Sequence, residues 1–209
     1  MLRLLLLSIA FLTSAAPGSA QRVEPRTILA FGDSLTAGYG LDEGLGFAPQ
    51  LEDALRREGI AATVVDAGVS GDTSKQGLDR VDWTLQSLEA RPELVILELG
   101  GNDMLRAVDP ADTEANLSAL IERFQAEDMR VLLAAIPAAR NYDADYIARF
   151  EGVYERLGEK YGVTVAPFLP DVLAEEEAML LPDGVHPTFK GIKAIVSAFT
   201  PVVVGELTP

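Results

Sequence analysis

The chain has 209 residues, 48% of them hydrophobic and 23% charged, which suits one packed domain and is too apolar for intrinsic disorder. It contains no cysteine and one histidine, so disulfides, thiolate nucleophiles, cysteine-ligated metals and sites built on two imidazoles are excluded. Asp plus Glu is 32 against 17 Lys plus Arg, a formal charge of −15, which repels phosphate backbones and anionic lipid surfaces and makes nucleic acid an unsuitable partner.

In chain order, the first segment reads as an address. Met1-Leu2-Arg3 places one positive charge before an apolar run from Leu4 to Leu12, and Gly18-Ser19-Ala20 supplies small residues. That is the plan of a secretory signal peptide over residues 1–20, with cleavage after Ala20 fitting best. A membrane span needs about 20 apolar residues, many more than this run supplies. Loss of Arg3 with the leader leaves 16 basic and 32 acidic residues on 21–209, a charge of −16. The expectation is a periplasmic or secreted protein, without a stable membrane anchor, whose core must suffice without disulfides.

From there the chain alternates strands and helices. Short apolar runs bounded by turn formers recur at Thr27–Phe31, Ala62–Val65, Leu94–Leu99, Val131–Ala135 and Val163–Ala166. Such runs are expected of strands buried on both faces of a parallel sheet. Helical spacing appears between them, at Leu117, Leu120, Ile121 and Phe124, and again at Phe150, Val153, Tyr154 and Leu157. Asp109-Pro110 reads as a cap with proline at the first helical position. A last helix carries Phe189, Ile192, Ile195, Val196 and Phe199, and Pro201 is expected to end or kink it. Strand–helix alternation five times over predicts one doubly wound α/β domain, with residues 21–209 as a single unit.

In such folds ligands lie beyond the carboxyl ends of the strands. Four loops of small and polar residues fall there. They are Gly32-Asp33-Ser34-Leu35-Thr36-Ala37-Gly38-Tyr39, Asp66-Ala67-Gly68-Val69-Ser70-Gly71-Asp72-Thr73-Ser74, Gly100-Gly101-Asn102-Asp103 and Asp183-Gly184-Val185-His186-Pro187. Ser34 needs a base to become a nucleophile, and the only imidazole in the chain is His186. Asp183, three residues earlier, can reach that ring, fix its tautomer and stabilise the imidazolium. Activity that depends on a neutral imidazole should rise through roughly pH 6–8. The oxyanion donors expected are the backbone N–H groups of Ser34 and Gly71 and the side-chain amide of Asn102. Asp33 and Asp103 read as scaffold, because an ionised carboxylate beside the oxyanion would oppose catalysis.

These four blocks resemble the GDSL or SGNH hydrolase family, in which one Ser, Gly, Asn and His stand in separate blocks, here Ser34, Gly71, Asn102 and His186. Ser-Gly-Asp-Thr-Ser and Glu-Leu-Gly-Gly-Asn-Asp look most like its bacterial secreted arylesterase, acyl-CoA thioesterase I and lysophospholipase group. The resemblance implies a flavodoxin-like, five-stranded, three-layer α/β/α fold and an esterase or thioesterase that uses no cofactor or metal. It also implies a mobile loop at Met104–Asp109 whose Met104, Leu105 and Val108 would meet an acyl chain. The protein is expected as a monomer or weak dimer acting on small acyl esters.

Three other readings compete. A carbohydrate-ester deacetylase would use the same residues, and a non-catalytic carbohydrate-binding relative would not need the complete triad. A dinucleotide site would need Gly38-x-Gly40-x-x-x-Gly44 in the tight turn after the first strand, whereas its spacing is wrong by one and it starts too late. No Gly-x-Ser-x-Gly occurs, which disfavours the other large class of α/β hydrolases.

Overall fold

The computed structural model describes residues 25–208, so the leader assigned to residues 1–20 lies outside the described residues. Five parallel strands make one sheet: β1 (Arg26–Gly32), β2 (Ala62–Gly68), β3 (Leu94–Glu98), β4 (Arg130–Ala135) and β5 (Thr164–Pro167). Their order is β2-β1-β3-β4-β5, the flavodoxin-like arrangement. The five apolar runs mark all five strands, and β2 continues three residues past Val65 to Gly68. The central strand β3 is buried at every position, the signature of a sheet covered on both faces.

The helices are α1 (Ser34–Ala37), α2 (Phe47–Arg57), α3 (Ser74–Ser87), α4 (Gly101–Leu105), α5 (Pro110–Gln125), α6 (Ala144–Tyr161), α7 (Val172–Glu175) and α8 (Phe189–Leu207). Helices α2 and α8 pack together on one face, with α3, α5 and α6 on the other. On the first face Phe47, Phe168 and Phe199 meet edge to face, with centroids 5.0 to 6.0 Å apart. On the second, Phe31 meets Phe124 at 5.4 Å.

Apolar spacing marks α5, α6 and α8, and Asp109 caps α5 by accepting from the Ala111 N–H at 3.0 Å. It does not mark α3, for a reason visible in the structure. The buried residues of that helix are Ser74, Gly77, Val81 and Thr84, a small and partly polar set. A Cβ on Gly77 would sit 2.4 Å from Leu99 Cδ1, so the helix lies close against the core with no large side chain to announce it. The start of α3 is set by a capping box between Thr73 and Gln76.

Pro201 does not end the last helix, because α8 runs through it to Leu207. The missing N–H leaves the Ser197 carbonyl without its usual partner, but Ser197 and Pro201 are both exposed, so water can serve that oxygen. Val203 and Leu207 beyond it are buried, and their packing offsets the cost of roughly 3 kcal/mol that an interior proline imposes. Phe189, grouped above with the apolar face, is half exposed at the first turn.

A candidate active site at the switch point of the sheet

Strand order reverses between β1 and β3, and the crevice beyond their carboxyl ends is where Ser34 and Asn102 lie. Ser34 is not in an open loop. It opens the single-turn helix α1, for which Asp33 is the cap, its carboxylate accepting from the Leu35 N–H at 3.0 Å. The helix closes on Gly38 in the left-handed conformation, which permits the Tyr39 N–H to return to the Ser34 carbonyl at 3.0 Å. Two glycines make room for this turn. A Cβ on Gly68 would lie 2.4 Å from the Ala37 nitrogen, and one on Gly32 would lie 2.1 Å from the Thr36 hydroxyl and 2.5 Å from Glu98 Oε2.

His186 and Asp183 sit in the loop before α8. The Leu181 N–H donates to the His186 carbonyl at 2.7 Å, and Leu180 bridges Pro187, which closes the loop into a narrow antiparallel turn. Within it, Asp183 Oδ1 accepts from the N–H groups of Val185 (2.9 Å) and His186 (3.0 Å). Its Oδ2 lies 2.7 Å from His186 Nδ1. These hydrogen bonds to the charged form hold the Asp183 carboxyl down to about 2, and the His186 side chain adds to the effect. On the far side of the ring, Nε2 lies 2.9 Å from Ser34 Oγ. Serine, imidazole and carboxylate therefore stand in one hydrogen-bonded line that can carry a proton from the hydroxyl to the ring.

The expected oxyanion donors lie after β1, β2 and β3, at the same edge of the sheet. Gly71 has φ +88°, and its carbonyl is turned away to accept from Arg106 at 2.7 Å. Among the described residues, the N–H groups of Ser34 and Gly71 have no acceptor. The Asn102 amide donates one hydrogen to Asp33 Oδ2 at 2.9 Å, which fixes its orientation and leaves the second hydrogen available. Burial pushes the Asp33 carboxyl up, against the opposing pull of Leu35 N–H, Asn102 and His186. Asp103 ties the helices together instead, accepting from the Ser74 N–H at 2.7 Å, the Ser74 hydroxyl and the Thr113 hydroxyl.

The three residues expected to meet an acyl chain differ in their placement. Leu105 is exposed at 53%, Val108 is half-buried, and Met104 is 7% exposed, its sulfur against the Ala139 N–H at 3.4 Å. Met104 is thus largely part of the core. Tyr39, Val69 and Val185 are also large and exposed, on the loops that follow β1, follow β2 and carry His186. A groove of about 770 Å³ between α2 and α8 contains none of the residues of the Ser34–His186–Asp183 line.

Other residues close in around the line. Tyr39 places its ring 4.4 Å from that of His186. Arg80 pairs with Asp72 at 2.6 Å and also holds the Gly32 carbonyl at 3.0 Å. Glu98 is buried under the Ser34 turn, and burial together with the neighbouring Asp33 pushes its carboxyl well above the usual range. Its signals in the sequence are a lone acid at the end of the run Leu94-Val95-Ile96-Leu97 and its place at the head of Glu-Leu-Gly-Gly-Asn-Asp.

A three-layer α/β fold with these four blocks at its switch point defines a hydrolase that cleaves esters. Residues 30–194 match the GDSL-like lipase/acylhydrolase family, and the chain belongs to that family. It is 38% identical to esterase TesA of Pseudomonas aeruginosa over 167 residues, covering 80% of this chain and 82% of that protein. It is 34% identical to an arylesterase of Vibrio mimicus over 187 residues, 90% of each chain. Among solved structures, AlinE4, an SGNH-hydrolase family esterase, superposes with a TM-score of 0.75 at 44% identity, covering 90% of this chain and 99% of that one.

Proposed function

We propose that this protein is an exported serine esterase that cleaves small acyl esters through an acyl-enzyme. Ser34 Oγ attacks the acyl carbonyl while His186 Nε2 takes its proton, and Asp183 holds the ring in the required tautomer. The negative charge that grows on the carbonyl oxygen is met by the N–H groups of Ser34 and Gly71 and the free amide hydrogen of Asn102. His186 then returns its proton to the departing alcohol or thiol. A water molecule, deprotonated by the same imidazole, attacks the acyl-enzyme and releases the acid.

The observation that carries this reading is the line itself: 2.9 Å from Ser34 Oγ to Nε2 and 2.7 Å from Nδ1 to Asp183. Ser34→Ala tests it. Hydrolysis of p-nitrophenyl butyrate should fall by about 10⁴-fold or more, and a fluorophosphonate should add once to the wild-type chain and not to the variant. Wild-type hydrolysis by Ser34→Ala would end the assignment.

The exposed apolar side chains Tyr39, Val69, Leu105 and Val185 favour a neutral, apolar acyl group over a sugar. A panel that varies acyl length and leaving group, acetylated sugars included, separates the ester reading from a deacetylase. The −16 charge of residues 21–209 suits neutral or zwitterionic substrates, and residues 21–209 are read as one domain, a monomer or weak dimer. Export is tested by cell fractionation and N-terminal sequencing. A mature chain that begins at Gln21 in the periplasm or medium supports it, and an intact Met1 in the cytosol refutes it.

A further inference from the structure

Glu98 is fully buried, and no step of ester cleavage uses it. It ends β3 beside Gly32 of β1, and its carboxyl occupies the space where a Cβ on Gly32 would stand. Oε2 accepts two hydrogen bonds, from the Asp33 N–H at 3.2 Å and from the Thr36 hydroxyl at 2.8 Å. Those two residues flank Ser34 in the chain. Oε1 is buried and has no partner among the described residues.

We propose that Glu98 is a positioning residue for Ser34: one carboxyl oxygen clamps the chain on both sides of the nucleophile and so aims its hydroxyl at His186. The proposal rests on the reading of Ser34 as nucleophile. Alignment of this kind is worth much, since a displacement of about 1 Å can cost ~10²-fold in rate.

Burial favours the protonated form of this clamp. A buried carboxylate with one oxygen unpaired and a second carboxyl nearby is disfavoured by both desolvation and repulsion. The groups that face it are Asp33 from the turn before α1, the Thr36 hydroxyl from α1 and the Tyr154 phenol from α6. Arg80 reaches the neighbouring Gly32 carbonyl from α3, but its guanidinium is paired with Asp72 at 2.6 Å. The folded chain thus keeps the Glu98 proton to higher pH than the unfolded chain does. Stability from this group is complete below the ordinary glutamate range and is lost as pH rises toward the folded value.

The test compares Glu98→Gln, Glu98→Met and Thr36→Val in the full chain with p-nitrophenyl butyrate, with kcat normalised to sites titrated by a fluorophosphonate. Glutamine keeps the accepting oxygen without charge, so Glu98→Gln stays within about threefold of wild type in kcat per site. Its unfolding midpoint should gain on that of wild type as pH rises above the ordinary glutamate range, as expected when a group whose carboxyl is pushed up on folding is removed. Methionine has similar length but offers only a weakly accepting sulfur in place of the carboxyl oxygen, so Glu98→Met loses about 10–100-fold in kcat per site with little change in KM. Thr36→Val keeps the shape and loses one hydrogen bond, for a fall of about 3–10-fold.

A role in stability alone would reduce the unfolding midpoint and the number of titratable sites and leave kcat per site untouched. That result in Glu98→Met overturns the proposal, and if this variant does not fold, wild-type kcat in Thr36→Val does so. Glu98→Gln as damaged as Glu98→Met overturns it too, since the turn would then need the charge. An active Ser34→Ala defeats the nucleophile reading itself, whereas an inactive Ser34→Ala beside a fully active Glu98→Met defeats only the role of Glu98.

Discussion

Nε2 of His186 meets Oγ of Ser34 at 2.9 Å across 152 positions of sequence. Nothing local joins them. Ser34 is presented by the turn between β1 and α1, and His186 by the narrow loop that precedes α8. The sheet and the packing of α8 against α2 bring the two together, so the base and the nucleophile share a position only once the whole domain has folded.

Asp183→Asn should lower kcat by about 10³–10⁴ with little change in KM, because an amide favours the wrong tautomer of the ring. The hydrogen bonds that hold the Asp183 carboxyl near 2 also determine the shape of the acid limb. A carboxyl depressed on folding contributes stability that is present above its ordinary value of 3.8 and is lost as pH falls toward about 2. Above that window Asp183 stays ionised, so the acid limb of kcat/KM should carry one proton. A two-proton limb in the wild type would contradict the geometry.

Asn102→Ala removes one donor from the crevice, and kcat should fall by about 10²–10³. Steady-state rates beside the thermal unfolding midpoint separate this loss from damage to the fold. Asn102 is only partly buried and bonds through its side chain to Asp33 alone, so the midpoint should move little. Unchanged turnover in a folded variant would remove Asn102 from the oxyanion site.

The Tyr39 ring lies 4.4 Å from the His186 ring at 38°, and the backbone of Tyr39 is anchored on the Ser34 carbonyl. A ring face beside the imidazole favours the imidazolium that forms during attack. Tyr39→Leu should reduce kcat by about 3–10-fold, whereas Tyr39→Phe, which keeps the ring, should stay within about twofold. Equal losses in both variants would show that the hydroxyl and not the ring face matters.

Pro201→Ala restores the N–H that α8 lacks at an exposed position. Stability should rise by about 1–2 kcal/mol, less than the full interior-proline cost because the unfolded chain regains freedom. Equilibrium urea unfolding checks it. A lower midpoint would mean that the proline fixes a bend on which the packing of Val203 and Leu207 depends.

Much of this was open to reading because its causes are local. Strands β1, β3 and β4 announce themselves as runs of apolar residues, since a strand buried on both faces can carry little else, whereas the edge strands β2 and β5 are shorter runs that are only partly buried. The loops announce themselves through Gly, Asp, Ser and Asn, because turns and caps need those residues. Asp183 and His186 are three residues apart, so their pairing follows from backbone reach. Helix α3 escaped because its inner face is Ser74, Gly77, Val81 and Thr84, and Met104 was read as a substrate contact although it fills the core. In both cases the neighbour that decides the matter lies elsewhere in the chain: Leu99 for Gly77, and Ala139 for Met104.

The sequence by itself determined the kinds of groups this protein can use. With no cysteine and one histidine, a hydroxyl nucleophile and the imidazole of His186 were the only serine-hydrolase pair on offer. Tertiary structure alone decided how those groups are held and in what state of charge. Glu98 is an ordinary acid in the unfolded chain and becomes a buried clamp only when β3 lies beside Gly32. Protonation and aim depend on burial and on hydrogen bonds between distant segments, and both come into existence when the sheet closes over its core.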